Sequence, residues 1–537
     1  MSKRLVWAGR MVAVAVAIGV VSVGAGAESA RGSLTPVKAC STLMTLSVPG
    51  SNMMITHTDA IAAAAAGTVP MGFGPTKIPV AMPAYCRVEG VIDAHTGPDG
   101  KQYGLTFALA LPPAWNGRLL FQGGGGLNGT LNPPYGLAAA GDRPALARGF
   151  AVVSTDGGHR GAGFDASFET DQEASLDFAF ASVPTVAGIA KKVVAAYYDK
   201  PARRSYFAGC STGGREGMEA VERYPSMFDG VISGAPAMRT GYSNIALKWA
   251  AVAFNGITPT DPATGKLAPG GAFSTADRRL IVRGLLAACD ALDGLKDGMI
   301  FNVRACHFDP AVLECKGAKT DECLSAAQVK ALHTAFGGPV TPGGWHIYVP
   351  HPYDTGIAVQ GPGIPGFLLN STGGPVSGAA LPLSIDLERE VANVVGDAEQ
   401  QLTDTDRWTN LSTFAARGGK QLFYHGMSDP WFSALDTIGY YERVAKSAGG
   451  LEKARSFARL FLVPGMEHCQ GGPATLDQFD LLTPLVRWVE RGEAPEAVIA
   501  RGASLPNRSR PLCAWPAYAH YKGKGDPESA ASFECRT

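Results

Sequence analysis

A serine lies between glycines in the segment Gly209-Cys210-Ser211-Thr212-Gly213, which is the part of the chain best suited to nucleophilic chemistry. The residues Ser205–Gly209 before it are typical of a short buried strand, and Arg215–Tyr224 after it is typical of a helix. A serine on a sharp turn between a strand and a helix exposes its hydroxyl and can attack a carbonyl carbon. The pattern predicts Ser211 as a nucleophile.

A serine hydroxyl needs a general base, and the base needs a carboxylate that orients it. Two later strand-like runs, Gln421–His425 and Arg459–Val463, lead to Asp429 and His468. Open α/β sheets place their sites at the carboxyl ends of their strands, and the order serine, aspartate, histidine is that of α/β-hydrolases. We therefore predict His468 as the base and Asp429 as its partner. Asp436 is a weaker choice because it lies further into the following helix.

Cysteines adjoin both catalytic candidates, since Cys210 precedes Ser211 and Cys469 follows His468. The serine and the base must come within hydrogen-bond reach, so the neighbouring cysteines can meet the Cα separation of about 4.4–6.8 Å that a disulfide needs. We predict this bridge, with two buried free thiols as the alternative. Ten cysteines favour five disulfides in an exported chain, and local spacing suggests three others: Cys289–Cys306, Cys315–Cys323 and Cys513–Cys535.

Acyl transfer also needs N–H donors for the oxyanion that forms in the transition state. The Thr212 N–H, directly after the serine, is one candidate. The glycine run 123–126 follows the strand-like Arg118–Gln122 and offers a second, because only backbone without a side chain approaches so closely. Within it we choose Gly126, with Gly125 next. A phosphate-binding function is not indicated, because no Gly-Lys-Ser/Thr ending follows.

Strand-like and helical segments alternate over residues 104–240 and return at 421–491, which predicts an α/β protein with a parallel sheet. Between 241 and 410 this periodicity weakens while glycine, proline and cysteine accumulate. We call residues 241–410 the insertion. We predict an α/β-hydrolase catalytic domain at 28–240 and 411–537, and a disulfide-stiffened lid domain in the insertion that shapes the substrate pocket.

The first 27 residues predict a secretory signal peptide. Lys3, Arg4 and Arg10 accompany an apolar run at 11–23 and the ending Ala25-Gly26-Ala27. A retained N-terminal anchor is the alternative. We expect a secreted or periplasmic protein without stable membrane association.

Charge excludes some partners. Lysine plus arginine and aspartate plus glutamate both total 47, so no net field draws the chain to nucleic acid. We expect a small-molecule substrate and no organic cofactor.

Three aspartates with Asp-Gly turns occur in the segment 289–299. Calcium takes six to eight oxygen ligands, which carboxylates and backbone carbonyls supply. The candidate ligands are Asp290, Asp293, Leu295, Asp297 and Met299. The segment lacks the EF-hand spacing, and a plain pair of Asp-Gly turns is the alternative.

Side chains near the motifs complete the candidate site. His159, in the segment Asp156-Gly-Gly-His, is interpreted as structural. We predict that His425 lines the pocket beside Asp429, and that Gly125, Trp431 and Phe432 lie against the substrate.

These residues resemble the tannase and feruloyl esterase family, whose mark is a Cys-Ser, Asp and His-Cys set with the two cysteines bridged. Cys210-Ser211, Asp429 and His468-Cys469 match it. The resemblance implies an α/β-hydrolase core, a lid with bound structural calcium, and activity on esters of aromatic acids. It also implies the calcium ligands named above and all five disulfides, which adds Cys40–Cys86 to the four pairs already given.

Within the family, the segments 432–437 and 482–495 are most similar to members that hydrolyse a terephthalate monoester. Those members bind the substrate's free carboxylate with a lid arginine, but this chain has no lysine or arginine between Lys330 and Arg389. Gly125 and Thr212 also differ from the serine and glutamate found there. We therefore predict hydroxycinnamoyl, galloyl or benzoate-type esters, with the terephthalate monoester as the alternative. A hydrolase-fold binding protein and a serine peptidase are the other classes considered.

Overall fold

The computed structural model describes residues 33–71, 76–268, 270–358 and 382–537, and the predicted signal peptide lies outside them. Nine strands form the central sheet: β1 (Met54–Ile61), β2 (Tyr85–Thr96), β3 (Gln102–Leu111), β4 (Arg118–Gln122), β5 (Ala151–Thr155), β6 (Arg204–Cys210), β7 (Gly230–Gly234), β8 (Lys420–Gly426) and β9 (Ala458–Val463). Their order in the sheet is β1-β2-β3-β5-β4-β6-β7-β8-β9.

The sheet is mixed. Neighbours from β1 to β3 and on to β5 pair antiparallel, whereas all neighbours from β5 to β9 pair parallel. Strands β5 and β7 are buried at every residue because helices cover both faces of the parallel part. A mixed sheet flanked by helices in this way fits the α/β-hydrolase fold that the sequence predicts.

Twelve α-helices accompany the strands: α1 (Gln172–Leu176), α2 (Ser182–Tyr198), α3 (Thr212–Arg223), α4 (Thr240–Asn255), α5 (Thr275–Cys289), α6 (Ala326–Gly337), α7 (Leu387–Gly396), α8 (Ala398–Thr403), α9 (Ser412–Ala416), α10 (Ala434–Ser447), α11 (Leu451–Arg455) and α12 (Leu482–Arg491), counted over the residues described. One face of the sheet packs against α2 and α10 through residues such as Val186, Val193 and Tyr441. The other face packs against α12 through Leu482 and Leu485.

The stretch Gln172–Tyr198 is long and apolar enough to cross a membrane by length and composition alone. It joins α1 to α2 through a single π-helical turn at Asp177–Ala181. Just after this turn comes Pro184, which has no N–H for a regular helical bond. In its most apolar window 56% of the residues are buried inside the protein, since α2 supplies core contacts to the sheet.

The insertion lies between β7 and β8, and its helices α4 to α7 form hydrophobic clusters of their own. One cluster joins Phe254 of α4, Phe273, and Leu332 and Phe336 of α6. A second joins α4 to α7. The division into a catalytic domain and a lid domain stays a prediction, although its first boundary at 241 falls one residue inside α4.

Five disulfides are present, with the partners that the resemblance implies. Cys289–Cys306 and Cys315–Cys323 lie within the insertion, whereas Cys40–Cys86 ties the N-terminal segment to β2. Cys513–Cys535 ties two short sheets built from β10 (Gln478–Phe479), β11 (Ala497–Arg501), β12 (Arg510–Cys513), β13 (Tyr518–Tyr521) and β14 (Phe533–Arg536).

Candidate active site

Ser211 lies on the turn between β6 and α3, in a backbone conformation that L-residues rarely adopt, with φ 63° and ψ −124°. Small neighbours make this turn possible. A Cβ on Gly209 would come within 2.6 Å of the Gly213 backbone, and one on Gly213 within 2.7 Å of the Gly124 carbonyl oxygen. Strain of this kind persists only where the surroundings enforce it, and it is typical of functional turns.

Asp429 follows β8 and is fully surrounded by donors. Its Oδ1 accepts the backbone N–H groups of Trp431 and Phe432 at 2.9 and 3.1 Å. Its Oδ2 accepts from His468 Nδ1 at 2.7 Å. Burial raises the pKa of Asp429, but the charge and hydrogen bond of His468, together with the nearby His425, outweigh it and hold the pKa well below its usual range. Asp429 is therefore a carboxylate that orients an imidazole.

His468 follows β9 and donates Nδ1–H to Asp429, so its Nε2 carries the lone pair of the neutral ring. Nε2 is buried and has no hydrogen-bond partner among the residues that the structure describes. The Cys210–Cys469 disulfide joins the residue before Ser211 to the residue after His468, with 6.0 Å between the two Cα atoms. The loop that carries the serine is thus covalently tied to the loop that carries the imidazole.

The weaker acid candidate, Asp436, has a different partner. Arg239 donates to both of its carboxylate oxygens, at 2.9 and 2.7 Å, from the chain just before α4. A buried, bidentate ion pair of this kind leaves Asp436 to hold the start of the insertion against α10.

His425 does not line the pocket, which corrects the sequence-based prediction. It is fully buried in β8, where Nε2–H donates to the Phe432 carbonyl at 2.9 Å and Nδ1 accepts from Thr437 at 2.8 Å. Its Nε2 also lies 3.3 Å from Asp429 Oδ2. A strand residue directly before the loop points into the core here, so His425 supports Asp429 from behind and has no ring nitrogen for a substrate.

The two oxyanion candidates have unused donors. Among the described residues, neither the Gly126 N–H nor the Thr212 N–H donates a hydrogen bond. The Thr212 hydroxyl donates to the Gly126 carbonyl, which connects the two positions. Gly125 is a poorer donor than Gly126 because its N–H is already bound by Asn128 Oδ1 at 2.9 Å. A Cβ at Gly125 would meet nothing within 4 Å, so this residue borders open space.

Aromatic rings border His468. The ring centroids of Trp431 and Phe432 lie 5.7 and 5.3 Å from that of His468. Phe164, which the sequence reasoning missed, stacks on Trp431 at 5.6 Å and is 48% exposed. It lies in the loop after β5, so a systematic inspection of every loop at the carboxyl edge of the predicted sheet would have included it.

The sequence matches the protein-family description "Tannase and feruloyl esterase" over residues 86–363 and 384–536. The chain belongs to the tannase and feruloyl esterase family. The family prediction made from Cys210-Ser211, Asp429 and His468-Cys469 is therefore confirmed, and the protein is a carboxylic ester hydrolase of this family.

Two relatives and one solved structure show how far the family similarity extends. The mono(2-hydroxyethyl) terephthalate hydrolase of Piscinibacter sakaiensis is 38% identical over 526 residues, which cover 86% of each chain. A probable feruloyl esterase B-2 of Neosartorya fischeri is 30% identical and covers 84% of this chain and 86% of its own. The crystal structure of feruloyl esterase B from Aspergillus oryzae is 26% identical with a TM-score of 0.73, over 93% of this chain and 99% of that one.

A further contact that sequence reasoning missed joins the insertion to the two loops that carry Asp429 and His468. The buried Asp354 carboxylate accepts from Ser428 Oγ at 2.9 Å and from the Gly465 N–H at 2.6 Å. Ser428 adjoins Asp429, and Gly465 lies three residues before His468. No sequence signal identifies Asp354, because it lies in an aperiodic stretch with several prolines and glycines.

The other predicted histidine, His159, packs inside the core of this family member. It is 1% exposed and stacks on Phe168 with 3.7 Å between the ring centroids. Burial lowers its pKa to about 4. A neutral, stacked imidazole is what a structural role requires.

The calcium candidates offer suitable donor chemistry, since all of them bind through oxygen. Burial, followed by the charge of Asp297, raises the pKa values of Asp290 and Asp293, the latter to about 7, and a cation would relieve both. As arranged, Asp290 accepts N–H groups of its own loop and Arg510 pairs with Asp297. Among the described residues, no group of three or more histidine, cysteine, aspartate or glutamate side chains forms a metal cluster.

Proposed function

We propose that the protein is a serine carboxylic ester hydrolase that cleaves small aromatic-acid esters through an acyl-enzyme. One observation supports the proposal. His468 is hydrogen-bonded to Asp429, and the Cys210–Cys469 bridge joins the residue after His468 to the residue before the strained Ser211 turn.

In the first half of the reaction, His468 Nε2 takes the Ser211 proton while Oγ bonds to the ester carbonyl carbon. The carbonyl oxygen becomes an oxyanion that accepts from the Gly126 and Thr212 N–H groups. Asp429 stabilises the imidazolium without taking its proton, because the low pKa of its carboxyl keeps it ionised. The imidazolium then gives the proton to the departing alcohol oxygen, which leaves an acyl ester on Ser211.

In the second half, His468 Nε2 takes a proton from water as the water oxygen bonds to the acyl carbon. The same two N–H groups hold the second oxyanion. When it collapses, the bond to Ser211 Oγ breaks, Oγ recovers its proton from His468, and the aromatic acid departs. Ser211 and His468 regain their starting protonation states, with the alcohol carrying the original Ser211 proton and water supplying its replacement.

The aromatic acyl group is supported by the rings of Trp431 and Phe432, which border His468, and by Phe164, which stacks on Trp431. The chain offers no lysine or arginine between Lys330 and Arg389 for a free carboxylate on the substrate. We therefore favour uncharged hydroxycinnamoyl, galloyl or benzoate-type acyl groups. The terephthalate monoester is the second candidate, because the relative named for that activity is 38% identical.

A panel of methyl ferulate, methyl gallate, methyl benzoate and mono(2-hydroxyethyl) terephthalate tests the proposal. We expect the highest kcat/KM on one of the three uncharged esters and loss of turnover on all four substrates in the Ser211→Ala variant. A preference for the terephthalate monoester would support the second candidate. Full esterase activity in Ser211→Ala would contradict the mechanism. Binding of the esters by the wild-type protein without turnover would indicate a binding protein. Cleavage of peptide anilides by the wild-type protein as fast as esters would indicate a peptidase.

We propose that the segment 289–299 binds one structural calcium ion through Asp290, Asp293 and Asp297 and the carbonyls of Leu295 and Met299. The ion would neutralise buried carboxylates in the insertion and take no part in the reaction. Thermal unfolding should occur at higher temperature with calcium than with a chelator, and Asp293→Asn should remove this difference. Equal unfolding temperatures in both buffers would contradict calcium binding.

We infer that the protein is exported. Five disulfides are typical of an oxidising compartment, and the predicted signal peptide at 1–27 supplies a route to it. Secretion from cells that express the full chain, with cleavage before Glu28, is the expected result. Retention of the uncleaved chain in the cytoplasm would contradict it.

A further inference from the structure

We propose that Asn128 and Glu216 are positioning residues that fix the direction of the Gly126 N–H toward the oxyanion. The inference rests on the proposed serine esterase mechanism and adds two residues to it. Neither residue belongs to the triad, and both are buried, with exposures of 4% and 1%.

Glu216 lies on α3, five residues after Ser211, and directs both carboxylate oxygens at the glycine loop. Oε2 accepts the Gly124 N–H at 2.9 Å, and Oε1 accepts from Asn128 Nδ2 at 3.0 Å. Both oxygens thus face donors. An ionised carboxylate is the side chain that accepts at both ends and donates at neither.

The carboxylate decides which way the Asn128 amide points. Because Nδ2 faces Glu216, Oδ1 faces the other way and accepts the Gly125 N–H at 2.9 Å. The Asn128 backbone N–H also donates to the Gly125 carbonyl at 2.9 Å. In a trans peptide the N–H of Gly126 points opposite to the carbonyl of Gly125. Asn128 therefore sets the orientation of the oxyanion donor without touching the substrate.

The surroundings leave this loop little freedom. A Cβ on Gly124 would overlap the Asn128 side chain, and one on Gly126 would overlap the Gly163 carbonyl. The Gly124 carbonyl accepts the Gly213 N–H at 3.2 Å, which joins the loop to the first turn of α3. The nucleophile turn and the oxyanion loop are thus packed as one unit, in which the N–H groups before Gly126 already have acceptors.

The hydrogen-bond directions make a sharp test possible. Glu216→Gln keeps the shape of the side chain but replaces one acceptor with an NH2 donor. Whichever end carries that NH2, it opposes either the Gly124 N–H or the Asn128 NH2. If Asn128 turns over to accept from the glutamine, its own NH2 opposes the Gly125 N–H. Every arrangement leaves one pair of donors facing each other, so the loop must shift.

The matched control is Glu219→Gln, one turn along the same helix. Glu219 is buried to a similar degree, at 2% exposure, but its ion-pair partners among the described residues are Arg215 and Arg223. Both variants replace a buried glutamate of α3 with glutamine. A general effect on folding should therefore appear in both.

We expect kcat of Glu216→Gln to fall on the order of 10- to 100-fold, up to the effect of deleting an oxyanion donor, with little change in KM. Affinity for an aryl trifluoromethyl ketone, which forms an oxyanion on the serine, should fall by the same factor. Affinity for the aromatic acid product should stay the same. Glu219→Gln should retain wild-type kcat and ketone affinity. Asn128→Gly, which tolerates the positive φ of 57° and removes the amide, should reproduce the loss.

If Glu216 acted only through its negative charge, Glu216→Gln would change kcat in the opposite direction. A negative carboxylate near the oxyanion disfavours it, so a purely electrostatic role predicts a higher kcat in Glu216→Gln. An unchanged or raised kcat in Glu216→Gln would overturn the proposal, and so would a loss of stability with normal ketone affinity. If Glu216→Gln does not fold, the same measurements on Asn128→Gly decide between these outcomes. Labelling of wild-type Ser211 by an aryl phosphonate separates the serine mechanism from the present inference. If Ser211 is not labelled, the serine mechanism is wrong. If Ser211 is labelled but Glu216→Gln and Asn128→Gly have wild-type kcat, only the present inference is wrong.

Discussion

The catalytic loops at the carboxyl edge of the sheet and the insertion between β7 and β8 are built on different principles. Each catalytic loop begins at the end of a strand, and the Cys210–Cys469 bridge ties two of these loops together. The insertion packs helices into clusters of their own, and its disulfides close only short stretches of chain. From this difference we infer that the core loops set the reaction and that the insertion can change the choice of substrate.

The two regions meet at polar contacts close to the candidate triad. Asp354 of the insertion binds Ser428 and Gly465 of the loops that carry Asp429 and His468, and Arg239, two residues before the insertion, binds Asp436. Changes in the core should therefore remove catalysis, changes in the insertion should affect stability and selectivity, and changes at these contacts should do some of both.

The largest expected effect is that of Asp429→Asn. The amide cannot hold His468 in the correct tautomer, so kcat should fall by about 10⁴-fold with little change in KM. Asp436→Asn is the control, since Asp436 is equally buried but pairs with Arg239. It should lower the unfolding temperature and leave kcat largely unchanged. Similar losses of kcat in both variants would remove the distinction between the two carboxylates.

The next largest effect is expected from the disulfides. Replacing both Cys210 and Cys469 by alanine should lower kcat about 10- to 100-fold at a temperature where the protein is still folded, because a small misplacement of the base costs that much. The insertion pair Cys315–Cys323 is the comparison. Its removal should cost about 2 kcal/mol of unfolding free energy and spare kcat. The reverse pattern, measured by chemical denaturation and steady-state kinetics, would contradict the account.

A smaller effect is expected at the contact between the regions. Asp354→Ala removes a charged acceptor from Ser428 and Gly465 and should lower kcat about 10-fold. Asp354→Asn retains an acceptor oxygen and should lose less. Kinetics on a single methyl ester measure both variants. A change confined to KM would mean that Asp354 shapes the pocket and does not position the triad loops.

The smallest effect concerns pH, because each region buries a histidine. Burial lowers the pKa values of His159 in the core and His351 in the insertion to about 4. In the unfolded chain each imidazole takes up its proton as the pH falls below 6.5, whereas in the folded protein it does so only near pH 4. The contribution of each buried, neutral imidazole to the free energy of unfolding is therefore complete above pH 6.5 and is lost as the pH falls toward 4. Each group contributes at most about 3 kcal/mol. In His159→Phe and in His351→Phe, the free energy of unfolding should decrease less steeply than in the wild type as the pH falls from 6.5 to 4. A pH dependence equal to that of the wild type would contradict the lowered pKa of the histidine concerned.

The sequence predicted the parts of the molecule that follow from local patterns. The strand, turn and helix around Ser211, and the residues after β8 and β9, depend on short-range periodicity and on the parallel edge of the sheet. The strand β1 escaped prediction because only Ile55 of its eight residues is buried at this margin of the sheet, so no apolar alternation marks it in the sequence. The strand β2 was not predicted either, although its residues alternate between buried and half-buried from Tyr85 to Ile92.

Long-range contacts were the part that could not be predicted. Asp354 lies 74 residues from Ser428, and Asn128 lies 88 residues from Glu216. Nothing in the local sequence of either pair indicates the partner. His425 was misplaced for a related reason, since the direction of a side chain at the end of a strand depends on the helix packed against it, here through Thr437 of α10.

The most direct test of the serine mechanism is to trap the acyl-enzyme. The protein is mixed with excess methyl ferulate, quenched in acid within the first turnovers, digested and analysed by mass spectrometry. We expect a feruloyl mass increase on the peptide that contains Ser211, and no such increase in Ser211→Ala. A wild-type enzyme that hydrolyses the ester with no acyl adduct, or with the adduct on another residue, would contradict the account.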